Sequence, residues 1–394
     1  MPPCNLHNLE GFGMNEWEAS ESLKIIFDSI EDPRINRTKK YPLNEILFLS
    51  LSAVLCGMDG WRNIEEYGLE KLDVLKKYFP FINGIPSFQT IGRVFSLIPP
   101  ASFEALFMHF MQSVSKSNIG EIIAIDGKTL RRSYDKGDGI CASHLLNVWA
   151  VKQGICLGQM DVGEKTNEIT VVPQVLEHLD IRGAIVTVDA LNTQREIAEK
   201  IIEKGGDYLM PVKGNHPGME ESLKTFFDRE DVNLIPTFSQ LQTTDKGHGR
   251  IETRDFYCVR NITYIKNQEN WNSLNTLCKV VSTVFRNNEE HISTKYYITS
   301  LLPNVKVISE AVRGHWGIEN GLHWVLDVTF GEDQSRKRKD HAPRNFSLLR
   351  KMALNIMKKD RGSKSSLDFR RKKAGMNDKY FDQMIMKAGF LQCI

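Results

Sequence analysis

Three acids stand far apart in this chain, each where a fold could aim it. Asp126 closes the apolar run Ile122–Ile125 and precedes Gly127-Lys128. Asp189 closes a second run, Ala184–Val188, and Glu319 sits in the helical segment from Arg313 to Trp324. The first two are 63 residues apart and the last two 130, so only a fold can gather them. Acids at the carboxyl ends of neighbouring strands, joined by one from a helix packed on the same sheet, can converge on divalent cations. Hard carboxylate oxygens favour Mg²⁺ or Mn²⁺ over zinc. Two such ions about 4 Å apart would activate the attacking oxygen and stabilise the leaving one in an in-line displacement at phosphorus. That chemistry cuts and rejoins nucleic acid. Singly, each acid has an ordinary explanation: a turn before Gly127, a cap for a helix near Thr193, an exposed helix glutamate. Together, on matching elements, they read as one site.

Those elements follow from the hydrophobic pattern. Residues 1–118 read as helical: Leu43–Leu55 is a buried helix stopped near Gly57, and short helical patterns cover Arg62–Tyr67 and Leu72–Tyr78. Ser87 is a natural N-cap for the helix Phe88–Phe95. That helix carries Gln89, Thr90 and Arg93, and either enters a major groove or belongs to a plain docking domain. Strands then follow at Glu121–Asp126, His144–Val151 and Ile155–Asp161, a helix at Glu168–Leu179, a strand at Ala184–Asp189, a helix at Thr193–Lys204 and a strand at Asp207–Val212. The order β-β-β-α-β-α-β, with Asp ending the first and fourth strands, is that of an RNase H-like core.

Residues 216–300 interrupt it with a helix at Met219–Asp228 and strands at Arg250–Val259, Lys279–Val284 and Thr294–Thr299, an inserted β-rich subdomain. Helix Ile308–Asp327 then returns to the core with Glu319, and a further helix spans Asn345–Lys358. The expected architecture is α/β. A helical N-terminal DNA-binding or docking domain (1–118) precedes an RNase H-like catalytic core (119–215). The β-rich insertion (216–300), the core return with the catalytic helix (301–360) and a basic C-terminal segment (361–394) complete it.

Composition narrows the class. The 394 residues are 41% hydrophobic and 25% charged, ordinary for a globular protein with a sizeable core. No apolar run reaches a membrane span, the start Met1-Pro-Pro-Cys-Asn-Leu lacks the pattern of an export signal, and seven scattered cysteines suggest a reduced, cytoplasmic protein. Between Arg336 and Lys387 lie 17 Lys/Arg against five Asp/Glu, so this stretch carries +12 and the remainder −10 of a net +2. Such a block is a solvated face or a polyanion contact; its place just after Glu319 favours a phosphate backbone. Gly137-Asp138-Gly139 is a turn, and no G-x-x-x-x-G-K-[ST] loop is present, so no nucleotide cofactor is expected.

Three stretches carry a resemblance. Ala124-Ile-Asp126-Gly-Lys128, Val188-Asp189-Ala-Leu-Asn192-Thr-Gln194, and Arg313-Gly-His315-Trp316-Gly-Ile-Glu319-Asn320 continuing to His323-Trp324 and Asp327 are similar to bacterial insertion-sequence transposases of the DDE type, in the H-repeat-associated branch. The likeness runs through nearly the whole chain, including Tyr208–Asn215. It implies DNA transposition by an RNase H-like core, with Asp126, Asp189 and Glu319 binding metal, terminal inverted repeats as substrate and a synaptic dimer as the active assembly. One departure stands out. Related transposases place a Tyr and an Arg upstream of the glutamate and a Lys downstream, where this chain has Val312, His315 and Leu326; Arg313 is shifted. Asp327, two helical turns beyond Glu319, is the rival third acid.

Lys128, Arg131, Arg132 and Lys213, with Arg313 and the run Arg336, Lys337, Arg338, Lys339, are the candidates for phosphate contacts; solvated loops are the alternative for the first four. His315 and His323, eight apart, can share a face, as packed side chains or as ligands, and Trp316 and Trp324 are expected as core anchors. The expected function is metal-dependent DNA cleavage at element ends and 3′-hydroxyl strand transfer, in the cytoplasm on the nucleoid. The alternatives are an inactive DNA-binding derivative and a nuclease without strand transfer.

Overall fold

The structure is a computed structural model that describes residues 22–115, 117–134, 139, 141–163, 166–247, 250–260, 262–265, 268–286, 289–360 and 363–387. The Gly137-Asp138 part of the expected turn and the last seven residues lie outside these. The chain divides into two compact units: residues up to Val114 with those from Lys339 onward, and Ser115–Arg338.

The first unit is helical. It holds α1 (Ser22–Ser29), α2 (Leu43–Leu55), α3 (Trp61–Glu70), α4 (Leu72–Leu75), α5 (Phe88–Leu97) and α6 (Pro100–Val114), and from later in the chain α12 (Ala342–Lys359), α13 (Leu367–Met376) and α14 (Asp378–Lys387). Ser87 caps α5, accepting from the Thr90 amide, and Gln89 and Arg93 are exposed on that helix. The segment expected as the core's return (301–360) is therefore divided, because α12 packs on α2 and α5. Asn345 on α12 donates to the Phe95 and Ile98 carbonyls at 2.8 and 2.9 Å, and Phe346 meets Trp61 and Phe95 edge-on. Part of the basic block is spent inside this unit. Arg371, nearly fully buried, donates to the Val54 carbonyl and to Asp59, and Lys351 is fully buried.

The second unit is built on one nine-stranded sheet in the order β3-β2-β1-β4-β5-β9-β8-β7-β6. Its first half comprises β1 (Ile122–Thr129), β2 (His144–Ala150), β3 (Ile155–Asp161), β4 (Ile185–Thr187) and β5 (Asp207–Val212), with α7 (Glu168–Glu177) and α8 (Arg195–Glu203) as crossovers. β1, β2 and β3 are antiparallel neighbours, and β1, β4 and β5 are parallel. This is an RNase H-like core. After α9 (Pro217–Phe227) come β6 (Ser239–Gly247), β7 (Arg250–Val259), β8 (Thr276–Arg286) and β9 (Glu289–Thr299). These strands form no separate sheet: β9 pairs antiparallel with β5, so the insertion lengthens the core sheet. β6, too polar for the sequence pattern to mark, is half-exposed along its length.

Helix α10 (Val305–Ile318) then crosses one face of both halves. Ile308, Ala311 and Val312 share a buried cluster with Ile122, Ile185 and Leu209 of the core and Phe256, Val280 and Tyr297 of the insertion. A π turn (Glu319–His323) and α11 (Trp324–Val328) continue it. No single helix among the described residues is long and apolar enough to cross a membrane.

Candidate active site

Alternation along β1 sorts its side chains. Ile122, Ala124, Asp126 and Lys128 share the face that meets α10 and α11: Ile122 lies under Gly314, Asp126 beside His323, Lys128 on Asp327. Gly127 and Thr129 take the opposite face, where Gly127 lies against Glu168 of α7 and Thr129 bonds to His144. Asp126 was expected to close the strand. Instead β1 runs on to Thr129, because Lys128 and Thr129 stay paired with Leu145 and His144 of β2. The parallel ladder explains the spacing of the first two acids. Ile122 pairs with Ile185 and Ala124 with Thr187, an offset of 63 residues, the same as from Asp126 to Asp189. Asp189 thus follows β4 at the level of Asp126.

Glu319 reaches this edge from α10. His323 Nδ1 lies 3.1 Å from Glu319 Oε2 and 3.8 Å from Asp126 Oδ2, and one ligand atom from each of Asp126, Glu319 and His323 falls within 4.8 Å of the others. Asp189 stands outside that group, fixed by two bonds of 2.9 Å to its Oδ1 from the Asn192 amide and side chain. It is still close enough to act. Burial and then the Asp189 charge push the Asp126 carboxyl up to about 7, with Glu168 and Glu319 adding to the effect. Burial also raises Asp189, against the bonds from Asn192. Carboxylates so crowded that one keeps its proton near neutrality form a site short of positive charge. Two carboxylates and an imidazole can hold a divalent ion, so the residues present fit a bound metal.

The π turn matters to this geometry, as π segments often do at functional sites. An α-helix advances 100° per residue, so eight residues overshoot two turns by 80°. A π turn absorbs about one residue, which brings His315 and His323 onto one face. His315 Nδ1 bonds to Thr187 Oγ1 at 3.1 Å, and burial pushes its imidazole down to about 4, so it is neutral. His323 turns to Asp126 and Asn147. Each tryptophan follows its histidine and points away. Trp316 and Trp324 are 57% and 56% exposed, and so are not the core anchors their size suggested.

Residues 118–356 match the family model described as "Transposase DDE domain", and residues 25–111 the one described as "DDE_Tnp_1-associated". The chain belongs to the DDE transposase family. It is 39% identical to "Putative transposase YncI" of Escherichia coli O157:H7, over 93% of this chain and 94% of that one. It is 38% identical to "H repeat-associated putative transposase YhhI" of Escherichia coli K12, over 91% and 96%, which places it in the H-repeat-associated branch. A cryo-EM structure of the piggyBac transposase synaptic complex with hairpin DNA aligns at 12% identity and a TM-score of 0.43, over 94% of this chain and 79% of that one, a likeness too slight to add to the topology.

The basic candidates of this transposase fall into two groups. Lys128, Arg131 and Arg313 carry carboxylate partners. Lys128 Nζ bonds both oxygens of Asp327 at 2.7 Å, and Arg313 meets Asp245 of β6 at 2.8 Å. Asp327, the rival third acid, is therefore already neutralised. Arg131, 3.2 Å from Asp333, remains exposed, as do Arg132, Arg336 and Lys339; Arg338 donates to the Arg132 carbonyl and covers the Tyr134 ring, and Lys337 is half-buried. Lys213 lines a cavity of about 350 Å³ beside Asp189, with Lys295, His315 and Trp316.

Sequence reasoning missed three features. Glu168 and Asn192 join the site; Asn192 stood in a stretch that carries the resemblance but was given no role, and nothing local marks Glu168. Gly314, Gly317 and Gly321 let the helix lie close on the sheet; a Cβ there would come within 3.0 Å of Ile122, 3.2 Å of Val151 and 2.7 Å of Trp149. Their spacing of three and four residues is a helical-face signal that could have been read.

Proposed function

We propose that this chain is an active transposase that cuts DNA at the ends of its element and joins the freed 3′-hydroxyl to target DNA. Asp126, Asp189 and Glu319 hold the metal, with His323 beside Asp126 and Glu319 and Asp327 left in its pair with Lys128. Two Mg²⁺ or Mn²⁺ ions bound there would supply Lewis-acid stabilisation to the attacking and leaving oxygens. The chain's own groups do the positioning. Lys213 neutralises a phosphate near Asp189, while Arg131, Arg132 and the run Arg336, Lys337, Arg338, Lys339 hold the backbone away from the cut. Arg313 joins them where it exchanges Asp245 for a phosphate.

Water attacks the phosphodiester, its P–O bond forms as the bond to the 3′-oxygen breaks, and the 3′-oxygen leaves as a hydroxyl. That hydroxyl then attacks a target phosphodiester, exchanging one ester bond for another. No protein-linked intermediate and no nucleotide cofactor are involved. The substrate is a pair of terminal inverted repeats held by a synaptic homodimer, with α5 presenting Gln89, Thr90 and Arg93 to a groove, and the protein works in the cytoplasm on the nucleoid.

The observation that supports this reading best is the approach of Asp126 and Glu319, with ligand atoms within 4.8 Å of each other, in a chain of this family whose Asp189 follows β4 level with Asp126. Strand joining with purified protein, Mn²⁺ or Mg²⁺ and DNA carrying the ends that flank the gene tests it. Joining should be lost in Asp126→Ala, Asp189→Ala and Glu319→Ala. Cleavage without joining would mean a nuclease, and end binding without cleavage an inactive DNA-binding derivative.

A further inference from the structure

The carboxyl edge of the sheet holds a fourth acid that the proposed triad does not use. Glu168 lies in the first turn of α7, which Asn167 caps by accepting from the Thr170 amide. Its two oxygens have different tasks. Oε1 accepts from His144 Nε2 at 2.6 Å, and Oε2 accepts from Asn192 Nδ2 at 2.7 Å. The same Asn192 nitrogen, with the Asn192 backbone amide, holds Asp189 Oδ1 at 2.9 Å. On the far side, His144 Nδ1 lies 2.9 Å from Thr129 Oγ1. A continuous strap of hydrogen bonds therefore runs Thr129–His144–Glu168–Asn192–Asp189, from the strand of the first acid to the residue of the second.

Two further observations show that the strap is built in. Gly127, next to Asp126, has no side chain where one would collide. A Cβ there would sit 2.1 Å from Glu168 Oε1 and 2.7 Å from His144 Nε2. Asn192 is fully buried, so water cannot replace the partners of its amide. A buried amide bonded to two carboxylates has one orientation open to it, with the nitrogen between them.

We infer that Glu168 is a positioning residue of the site: held by His144, it fixes the Asn192 amide and thereby the direction in which Asp189 presents its other oxygen. The inference rests on the reading of Asp189 as a metal ligand. Carboxylates that bind metal are themselves oriented by hydrogen bonds, and removing such a partner costs about 10- to 100-fold in metal affinity or activity. Glu168 supplies that support at a distance of one side chain.

The test uses the full chain as wild type, Glu168→Ala, Glu168→Gln, Asn192→Ala and the Glu168→Ala/Asn192→Ala double variant. Mn²⁺ affinity is read without DNA, from the electron paramagnetic resonance of the free ion, with thermal melts beside it. Glu168→Ala and Asn192→Ala should each weaken Mn²⁺ binding about 10- to 100-fold. The double variant should be no weaker than the worse single one, because both cut the same strap. Glu168→Gln keeps an oxygen for Asn192 and should bind Mn²⁺ more nearly as wild type does, even if the alanine variants fold poorly. Additive losses, a Gln variant as weak as Ala (a direct ligand), or an alanine variant with unchanged affinity would each overturn the assignment. Strand joining is scored separately. A wild type that never joins DNA while the Mn²⁺ series behaves as expected defeats the transposase reading and leaves the strap standing.

Discussion

Gly321→Ala adds one methyl group to the turn that carries Glu319. Its carbon would lie 2.7 Å from Trp149 Cζ2 and 3.1 Å from Cε2, where carbon atoms normally rest about 3.5–4.0 Å apart. Trp149 is 2% exposed on β2 and cannot swing aside, so the turn must retreat by about 1 Å. Two energies oppose each other. Overpacking costs about 1–3 kcal/mol, while replacing glycine by alanine in a helix gains up to about 1 kcal/mol. The net is a loss of about 0.5–2 kcal/mol, a fall of roughly 2–6 °C in melting temperature for a unit of this size. Function should suffer more, since a 1 Å misplacement of a reacting group can cost about 100-fold in rate. Calorimetry and metal-dependent DNA cleavage, run beside Gly314→Ala and Gly317→Ala, give the measure. Gly314 faces the end of a flexible Ile122 side chain and Gly317 has 3.2 Å to Val151, so both should be milder. A Gly321→Ala protein that melts higher than wild type and cleaves as well would refute the close approach as the device that sets Glu319.

The metal-free protein should lose stability as pH rises from about 4 to about 7. A carboxyl raised on folding, as burial and Asp189 raise Asp126 to about 7, stabilises fully below its unfolded pKa of about 3.9 and loses that contribution as pH climbs through 7. Thermal melts should show this slope flattened in Asp126→Asn, and Mn²⁺ added at about pH 6 should release a proton, visible as buffer-dependent heat in calorimetry. Lys128→Met leaves Asp327 and Asp333 without their shared cation. With Asp327 28% exposed, the full buried-pair penalty is reduced to about 2–3 kcal/mol by urea unfolding, part of it recovered by Asp327→Asn. In the helical unit, Asn345→Ala strands the buried Phe95 and Ile98 carbonyls and should cost about 1–3 kcal/mol; an unchanged urea midpoint would show that this tie is not structural.

How far the sequence carried the fold depended on which forces leave a local trace. α2 and β5 have the limits that their apolar runs predict, and Ser87 caps α5 as its position implies. The partner of a buried face leaves no such trace. The apolar stripe on α12 predicts burial equally well against the sheet or against other helices, and in the helical unit it packs on α2 and α5. Likewise the strands of the insertion were readable one by one, while their continuation of the core sheet through β9 and β5 is a long-range choice. In the site, the ends of two apolar runs marked Asp126 and Asp189, but the ladder register that levels them and the π turn that carries Glu319 and His323 are set by long-range packing. The tryptophans were misplaced because their size argued for burial, while each follows its histidine onto the exposed side of the segment.

Charge balance, more than position, separates the acids that can hold a metal from those that cannot. Around Lys128 the ledger is closed: Asp327 receives two bonds of 2.7 Å, Asp333 lies 3.8 Å from the same ammonium, and Arg131 adds a second cation at 3.2 Å. Burial still raises the Asp327 carboxyl, but Lys128 opposes it. A few residues away the balance is open. Asp126 sits among Asp189, Glu168 and Glu319, His144 is committed to Glu168, and His323 alone stands near Asp126 and Glu319. With no lysine or arginine paired to it among the described residues, Asp126 is pushed up to about 7 and holds a proton below that. A divalent ion is the simplest charge that would displace that proton, and it would do so with ligands already turned toward one another. The same consideration ranks the candidates for the third acid. Adopting Asp327 would require Lys128 to give up a nearly buried pair, whereas Glu319, half-exposed and bonded to His323 alone among the described residues, has nothing to surrender. On that ground we favour Glu319 over Asp327 as the proposed third acid.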